Sequence, residues 1–218
     1  MILNTYKKYA AIAALNYISF DSIIGIGSGS TISYFIQALS TIKDRVIGVI
    51  SSSYNTTFIL KKYGIKVFDL NTISTSITYI DSADEINNNM EVVKGGGAAL
   101  TKEKIIASVS KKFVCIIDKT KQVNKLGFFP LPLEIIPISY SYIAQEIFKL
   151  GGIPKYRRGI ITDNGNIIID VYDLNLEFPI LMENKINSLP GVVSVGLFSY
   201  RKPDLILIGA KNGVEIIK

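Results

Sequence analysis

The chain has 218 residues, 48% of them hydrophobic and 19% charged, and its apolar runs of about four to eight residues suit buried strands and exclude both general disorder and a membrane span. A net charge of +6 comes from scattered lysines, paired only at 7–8, 61–62 and 111–112, which excludes the clustered basic face of a nucleic-acid binder and leaves a modest field that favours an anionic metabolite. Histidine is absent, which removes Ser-His-Asp and Cys-His catalysis and histidine-ligated metals and leaves acid–base work to carboxylates, lysine or tyrosine.

Leu3, Tyr6, Ala10, Ala13, Ala14 and Tyr17 recur at three- and four-residue steps and predict an amphipathic helix over 3–18. No long apolar segment with a small-residue cleavage site precedes it, so no secretory signal is expected and the protein is assigned to the cytoplasm. A strand over 22–27 then runs through Ser28-Gly29-Ser30-Thr31 into a helix over 32–39. Backbone N–H groups at such a turn offer an anion site. The alternating Gly25, Gly27 and Gly29 match neither the Walker nor the dinucleotide spacing, and a plain capped turn explains the segment equally well.

Further strands are predicted at 46–50, 66–70, 77–80 and 112–117, with helices at 54–63 and 98–110 between them. This alternation argues for a three-layer α/β fold around a parallel sheet, Rossmann-like in character. Cys115 falls within the strand at 112–117 and reads as a buried structural thiol. The strand at 77–80 ends in Asp81-Ser82-Ala83-Asp84-Glu85, three carboxylates at the edge where an open parallel sheet binds ligands. Lys94-Gly95-Gly96-Gly97 then leads into a helix that carries Glu103 on its second turn. Three consecutive glycines are entropically costly, and with a lysine and an acid beside them they read as an active-site loop. Lys121, after the strand ending at Asp118, adds a cation at the same edge.

Phe128-Phe129-Pro130-Leu131-Pro132 marks a crossing into a differently built section. A strand at 133–138, a helix at 139–150, two strand-like runs around Asn164-Gly165, a helix at 179–188 and a strand at 192–197 have the order of a ferredoxin-like α+β unit. Asn164-Gly165 is a type I′ hairpin signal. Strands at 205–208 and 214–217 return to the first domain. The expected division is therefore 1–128 with 199–218 as the Rossmann-like domain and 129–198 as the ferredoxin-like one.

These segments, in this order, resemble the type A ribose-5-phosphate isomerases over essentially the whole chain. The likeness extends to Asp118-Lys119-Thr120-Lys121, Phe129-Pro130-Leu131-Pro132-Leu133-Glu134, Thr162-Asp163-Asn164-Gly165-Asn166 and Gly191-Val192-Val193-Ser194-Val195-Gly196-Leu197-Phe198. The resemblance implies an aldose–ketose isomerase acting on a pentose 5-phosphate, without metal or other cofactor, as a homodimer. It implies Glu103 as catalytic base, with Asp81, Asp84 and Lys94 sharing ring opening and charge stabilisation. Substrate contacts are implied at Ser28, Gly29, Ser30, Thr31, Asp81, Ser82, Ala83, Asp84, Lys94, Gly95, Gly96, Gly97 and Lys121, with Lys7 a further candidate for the phosphate. One departure is Ser82, where the family commonly has glycine. The alternative reading, a non-catalytic sugar-phosphate sensor, calls for a DNA-reading element, and no helix-turn-helix segment precedes residue 22.

Overall fold

A computed structural model of the protein describes residues 2–218. In chain order, α1 (Ile2–Ala14) is followed by β1 (Ile23–Ile26), α2 (Ser30–Ser40), β2 (Gly48–Ser51), α3 (Tyr54–Lys62) and β3 (Thr78–Asp81). Two short strands, β4 (Glu85–Ile86) and β5 (Val92–Val93), precede α4 (Leu100–Val109) and β6 (Lys112–Asp118). The next section holds β7 (Leu131–Ile135), α5 (Tyr140–Lys149), β8 (Ile153–Tyr156), β9 (Ile167–Tyr172), α6 (Pro179–Asn187) and β10 (Val192–Val195). The chain closes with β11 (Leu197–Phe198), β12 (Leu205–Ala210) and β13 (Gly213–Ile217). No described helix is long and apolar enough to cross a membrane.

The first of two compact units runs to Ala83 and takes in Ile105–Lys121 and Pro203–Lys218. Its six strands lie in the order β13-β12-β6-β3-β1-β2, parallel throughout except for the β12–β13 pair. One face packs Ile24, Ile26, Ile80, Val114 and Ile116 against Phe35, Leu39 and the alanines of α1. The opposite face stacks Tyr79 on Phe113, ring centroids 5.2 Å apart, and turns Gly25 toward Ile106 of α4. Side chains alternate across a strand, so a sheet covered on both faces needs continuous apolar strands, and Phe113 to Asp118 are buried without a break. The expected three-layer parallel sheet is present.

The second unit comprises Asp84–Lys104 and Gln122–Lys202. Strands β7, β8, β9 and β10 form an antiparallel sheet in the order β10-β7-β9-β8, with α5 and α6 as the intervening helices, which is the ferredoxin-like arrangement. Its core gathers Leu133, Ile135, Ile143, Ile147, Ile169 and Val195. Burying side chains of this size stabilises the unit by about 1.5–3 kcal/mol each. A small sheet, β11-β5-β4, pairs residues 85–93 with 197–198, so this unit holds more chain than 129–198.

Two local expectations are corrected. The strand predicted at 66–70 shrinks to a single parallel bridge between Val67 and Val49. Asp69 accepts the Asn71 N–H at 2.8 Å and bends the chain into a short 3₁₀ turn at Leu70–Thr72, a side-chain bond that competes with the ladder. The type I′ hairpin at Asn164-Gly165 is also absent. Only Gly165 has positive φ, +79°, and residues 157–166 form a longer connection between β8 and β9.

Candidate active site

In the first unit the candidate residues lie where parallel strands end, the edge at which open α/β sheets bind ligands. Asp81 closes β3, Gly27 to Gly29 follow the neighbouring β1 into α2, and Lys121 sits in the turn after β6. Asp81 is fully buried, and its Oδ1 accepts the backbone N–H groups of Ser28 at 3.1 Å and Ser82 at 2.7 Å. The buried hydroxyl of Tyr79 donates to the other oxygen, Oδ2. Tyr79 lies two residues before Asp81, on the same face of the strand, so strand alternation alone could have marked it as a partner. A Cβ on Gly27 would stand 1.7 Å from Asp81 Oδ1, so only glycine leaves space for this carboxylate. Thr56, in the first turn of α3, donates to the Gly27 carbonyl at 3.0 Å and pins the turn from its other side.

Lys7 reaches across from α1 to donate to Ser30 Oγ at 2.9 Å, which puts an ammonium at the N-terminus of α2. Thr31 and Ala83 are buried. Ser82 adopts no positive φ, and its hydroxyl donates to the Ser28 carbonyl at 3.0 Å. The departure from glycine therefore strains nothing, and it ties the Asp81 loop to the glycine turn.

In the second unit Asp84, Lys94, the three glycines and Glu103 come together. Asp84 Oδ2 accepts the Gly96 N–H at 2.7 Å, and the Lys94 N–H donates to the Gly196 carbonyl at 2.8 Å. Gly95 has φ +106°, a conformation glycine takes without cost, and there the chain turns toward α4. Ala98, at φ +58°, is a non-glycine residue in the same left-handed region just before the helix, the kind of local strain that clusters at functional sites. Arg157, which no motif in the sequence singles out, donates to the carbonyls of Gly95 at 2.9 Å and Gly96 at 3.1 Å while pairing with Asp170 through two nitrogens.

Lys94 Nζ stands 3.2 Å from Glu103 Oε2, with side chains only 3% and 4% exposed. Removing two charges from water is costly, and their mutual attraction is what offsets it. Lys94 also lies 5.7 Å from the centroid of Phe198, a ring shared with Lys104 at 4.7 Å. Lys104, the neighbour of Glu103, bonds Glu183 and the Leu197 carbonyl, both at 2.5 Å. Burial pushes its ammonium below the usual lysine range, with Glu183 pulling back up.

Glu85, third acid of the Asp81-to-Glu85 run, supports the fold instead, accepting the backbone N–H groups of Gly127, at 2.8 Å, and Phe129. Burial raises its carboxyl above the ordinary value, against the lowering effect of those bonds. Asp81 and Asp84 are three residues apart in the chain, joined through Ser82 and Ala83. The second unit thus supplies a paired carboxylate and ammonium with a further fixed carboxylate, groups able to move a proton between carbons and stabilise an oxyanion. The first supplies a fixed carboxylate and a helix N-terminus with a lysine on it, which can hold a phosphate.

The model of the family described as ribose 5-phosphate isomerase A (phosphoriboisomerase A) matches residues 48–213. A curated relative from Buchnera aphidicola subsp. Schizaphis graminum, described as ribose-5-phosphate isomerase A, is 65% identical over 218 residues, the whole of both chains. Another of the same description, from Buchnera aphidicola subsp. Acyrthosiphon pisum (strain Tuc7), is 62% identical over 100% of this chain and 97% of its own. Among solved structures, ribose 5-phosphate isomerase A from Neisseria gonorrhoeae superposes with a TM-score of 0.96 at 40% identity, covering 99% of this chain and 96% of that one. A D-ribose-5-phosphate isomerase in complex with phospho-erythronic acid superposes at 0.94 with 33% identity over 100% of both chains.

Proposed function

The chain belongs to the ribose 5-phosphate isomerase A family and interconverts D-ribose 5-phosphate and D-ribulose 5-phosphate, and we propose that it does so with Glu103 as the base that carries the proton between C2 and C1. The reaction belongs to the non-oxidative branch of the pentose phosphate pathway. The observation that carries the assignment is the buried Lys94–Glu103 pair beside the glycine loop.

In the open-chain aldose, the Glu103 carboxylate removes the C2 proton and the electron pair moves into a C1–C2 double bond, giving a cis-enediolate. The same carboxyl returns that proton to C1, while a second proton passes from O2 to O1. Charge grows on the two oxygens, and the cation of Lys94 with the loop N–H groups offsets it. Asp81 and Asp84, each held by backbone N–H donors, assist ring opening. The phosphate binds at Ser28 to Thr31, on the N-terminus of α2, with Lys7 and Lys121 supplying positive charge. No histidine is needed at any step, and turnover is expected to persist in EDTA. Conversion of ribose 5-phosphate by the purified protein, with and without chelator, tests this reading; a chelator-sensitive rate would overturn its metal-free mechanism.

The same reading includes a homodimer, as the family resemblance implies, and a cytoplasmic location, as expected from a sequence with no visible secretory signal. Light scattering on the purified protein checks the dimer, and a monomer at assay concentration with full turnover removes it.

Ser82→Gly, which restores the family's usual residue, breaks the bond to the Ser28 carbonyl and leaves the chemistry untouched. The expected result is a KM for ribose 5-phosphate raised by about two- to fivefold at constant kcat, in line with one lost neutral hydrogen bond. A fall in kcat at constant KM would show that the hydroxyl acts on the chemical step instead.

A further inference from the structure

Two motifs behind the resemblance, Phe129 to Glu134 and Thr162 to Asn166, have no part in the proposed chemistry, yet in the second unit they meet. Glu134 lies on β7 and is fully buried. A carboxylate there is costly unless its oxygens are hydrogen-bonded. Oε1 accepts from Thr162 Oγ1 at 2.8 Å, Asn164 Nδ2 at 2.9 Å and Asn166 Nδ2 at 2.8 Å, and Oε2 accepts from Thr101 Oγ1 at 2.5 Å. All these donors are neutral, and they come from two distant segments. Bonds to three of the five residues in the 162–166 turn account for its departure from a simple hairpin.

The second of those segments is the first turn of α4. Thr101 stands two residues before Glu103, and Lys102, between them, pairs with Asp163 of the same turn at 3.1 Å. Arg157, at the start of that connection, holds the Gly95 and Gly96 carbonyls. The 157–166 connection thus grips the stretch from Lys94 to Glu103 at three places, Gly95, Gly96 and Lys102, and Glu134 adds a fourth hold at Thr101. Two side-chain anchors on consecutive helical residues fix the rotation of the turn about its axis, since each residue advances about 100° around the helix. The direction of the Glu103 side chain follows from that rotation.

We propose that Glu134 is a positioning residue for the isomerisation: by holding Thr101 and the 162–166 turn together, it sets the rotation of the first turn of α4 and so the aim of Glu103 at the substrate carbons. The proposal rests on Glu103 being the base. Glu134 touches no substrate atom and acts through Thr101.

The test is steady-state kinetics on Thr101→Val, Thr101→Ser, Glu134→Leu and the Thr101→Val/Glu134→Leu double variant, with Glu103→Gln alongside and folding followed by circular dichroism and thermal melting. Thr101→Val keeps the side-chain shape and removes only the donor. Its kcat is expected to fall about 10- to 100-fold, the scale of a displaced catalytic group, with KM held within about threefold. Thr101→Ser restores the hydroxyl and is expected to recover most of kcat. The double variant is expected to be no slower than Glu134→Leu, because both changes break one link. If Glu134→Leu does not fold, the valine and serine variants decide alone. Wild-type kcat in folded Thr101→Val, a loss that serine does not recover, or a rise in KM matching the loss in kcat would each overturn the proposal. Full turnover in Glu103→Gln would instead overturn the base assignment, so the two failures are distinguishable.

Discussion

Glu103→Gln is expected to lower kcat for ribose 5-phosphate isomerisation by about 10²–10⁴-fold, the usual worth of a positioned general base, with KM changing much less. The amide keeps the volume of the carboxyl and its place on α4 but cannot accept the C2 proton. Substrate contacts proposed at the α2 N-terminus and at Asp84 do not involve Glu103, so ground-state binding is expected to survive. The readouts are ketose formation under steady state and exchange of the C2 proton with solvent deuterium followed by NMR. Both should collapse together if Glu103 removes that proton. Exchange that continues while ketose formation stops would assign Glu103 to the return of the proton only, and turnover at the wild-type rate would remove it from the mechanism.

Lys94→Met is expected to damage both stability and rate. It leaves the carboxylate of Glu103, with a side chain 4% exposed, without the ammonium now 3.2 Å away. Removing one partner of a buried ion pair typically costs about 3–5 kcal/mol, much more than the net contribution of the intact pair. Urea denaturation reads the loss as a lower midpoint. Adding Glu103→Gln removes the stranded charge, so the double variant is expected to regain part of the stability while staying inactive. A coupling of about 1–3 kcal/mol in that cycle would report the direct interaction, and strict additivity would deny it. Kinetics on Lys94→Met alone, at a temperature where it is fully folded, separates the two effects of Lys94: a kcat below that of the wild type there identifies its part in holding charge during the reaction.

Much of the site was legible because its parts are local. Lys94, the three glycines and Glu103 lie within ten residues, and the step from a glycine turn into a helix is written in composition and periodicity alone. Asp81 and Asp84 were readable for the same reason, as acids following an apolar strand. Tyr79 was within reach, since alternation already set it on the face of Asp81. Arg157 and Glu134 were not legible. Each acts on residues more than thirty or sixty positions away, and nothing in the spacing around them says which loop they hold. The predicted strand at 66–70 and the predicted hairpin at 164–165 failed for a related reason: Asp69 and Glu134 offered the backbone or its neighbours hydrogen bonds that propensity does not count.

The amino-acid sequence by itself determined the alternation of strands and helices, the position of each glycine turn and the absence of histidine chemistry, because these depend on residue type and on periods of two and 3.6. Only the tertiary structure decided which carboxylates became partners and which became supports. Glu85 and Glu134 look like Asp84 and Glu103 in the sequence, but the loop before β7 brings backbone N–H groups to the first, the 162–166 turn and Thr101 bring neutral side-chain donors to the second, and Glu103 receives an ammonium. Burial makes that difference large, since in a low-dielectric interior the identity of the nearest donor governs what a carboxyl group can do.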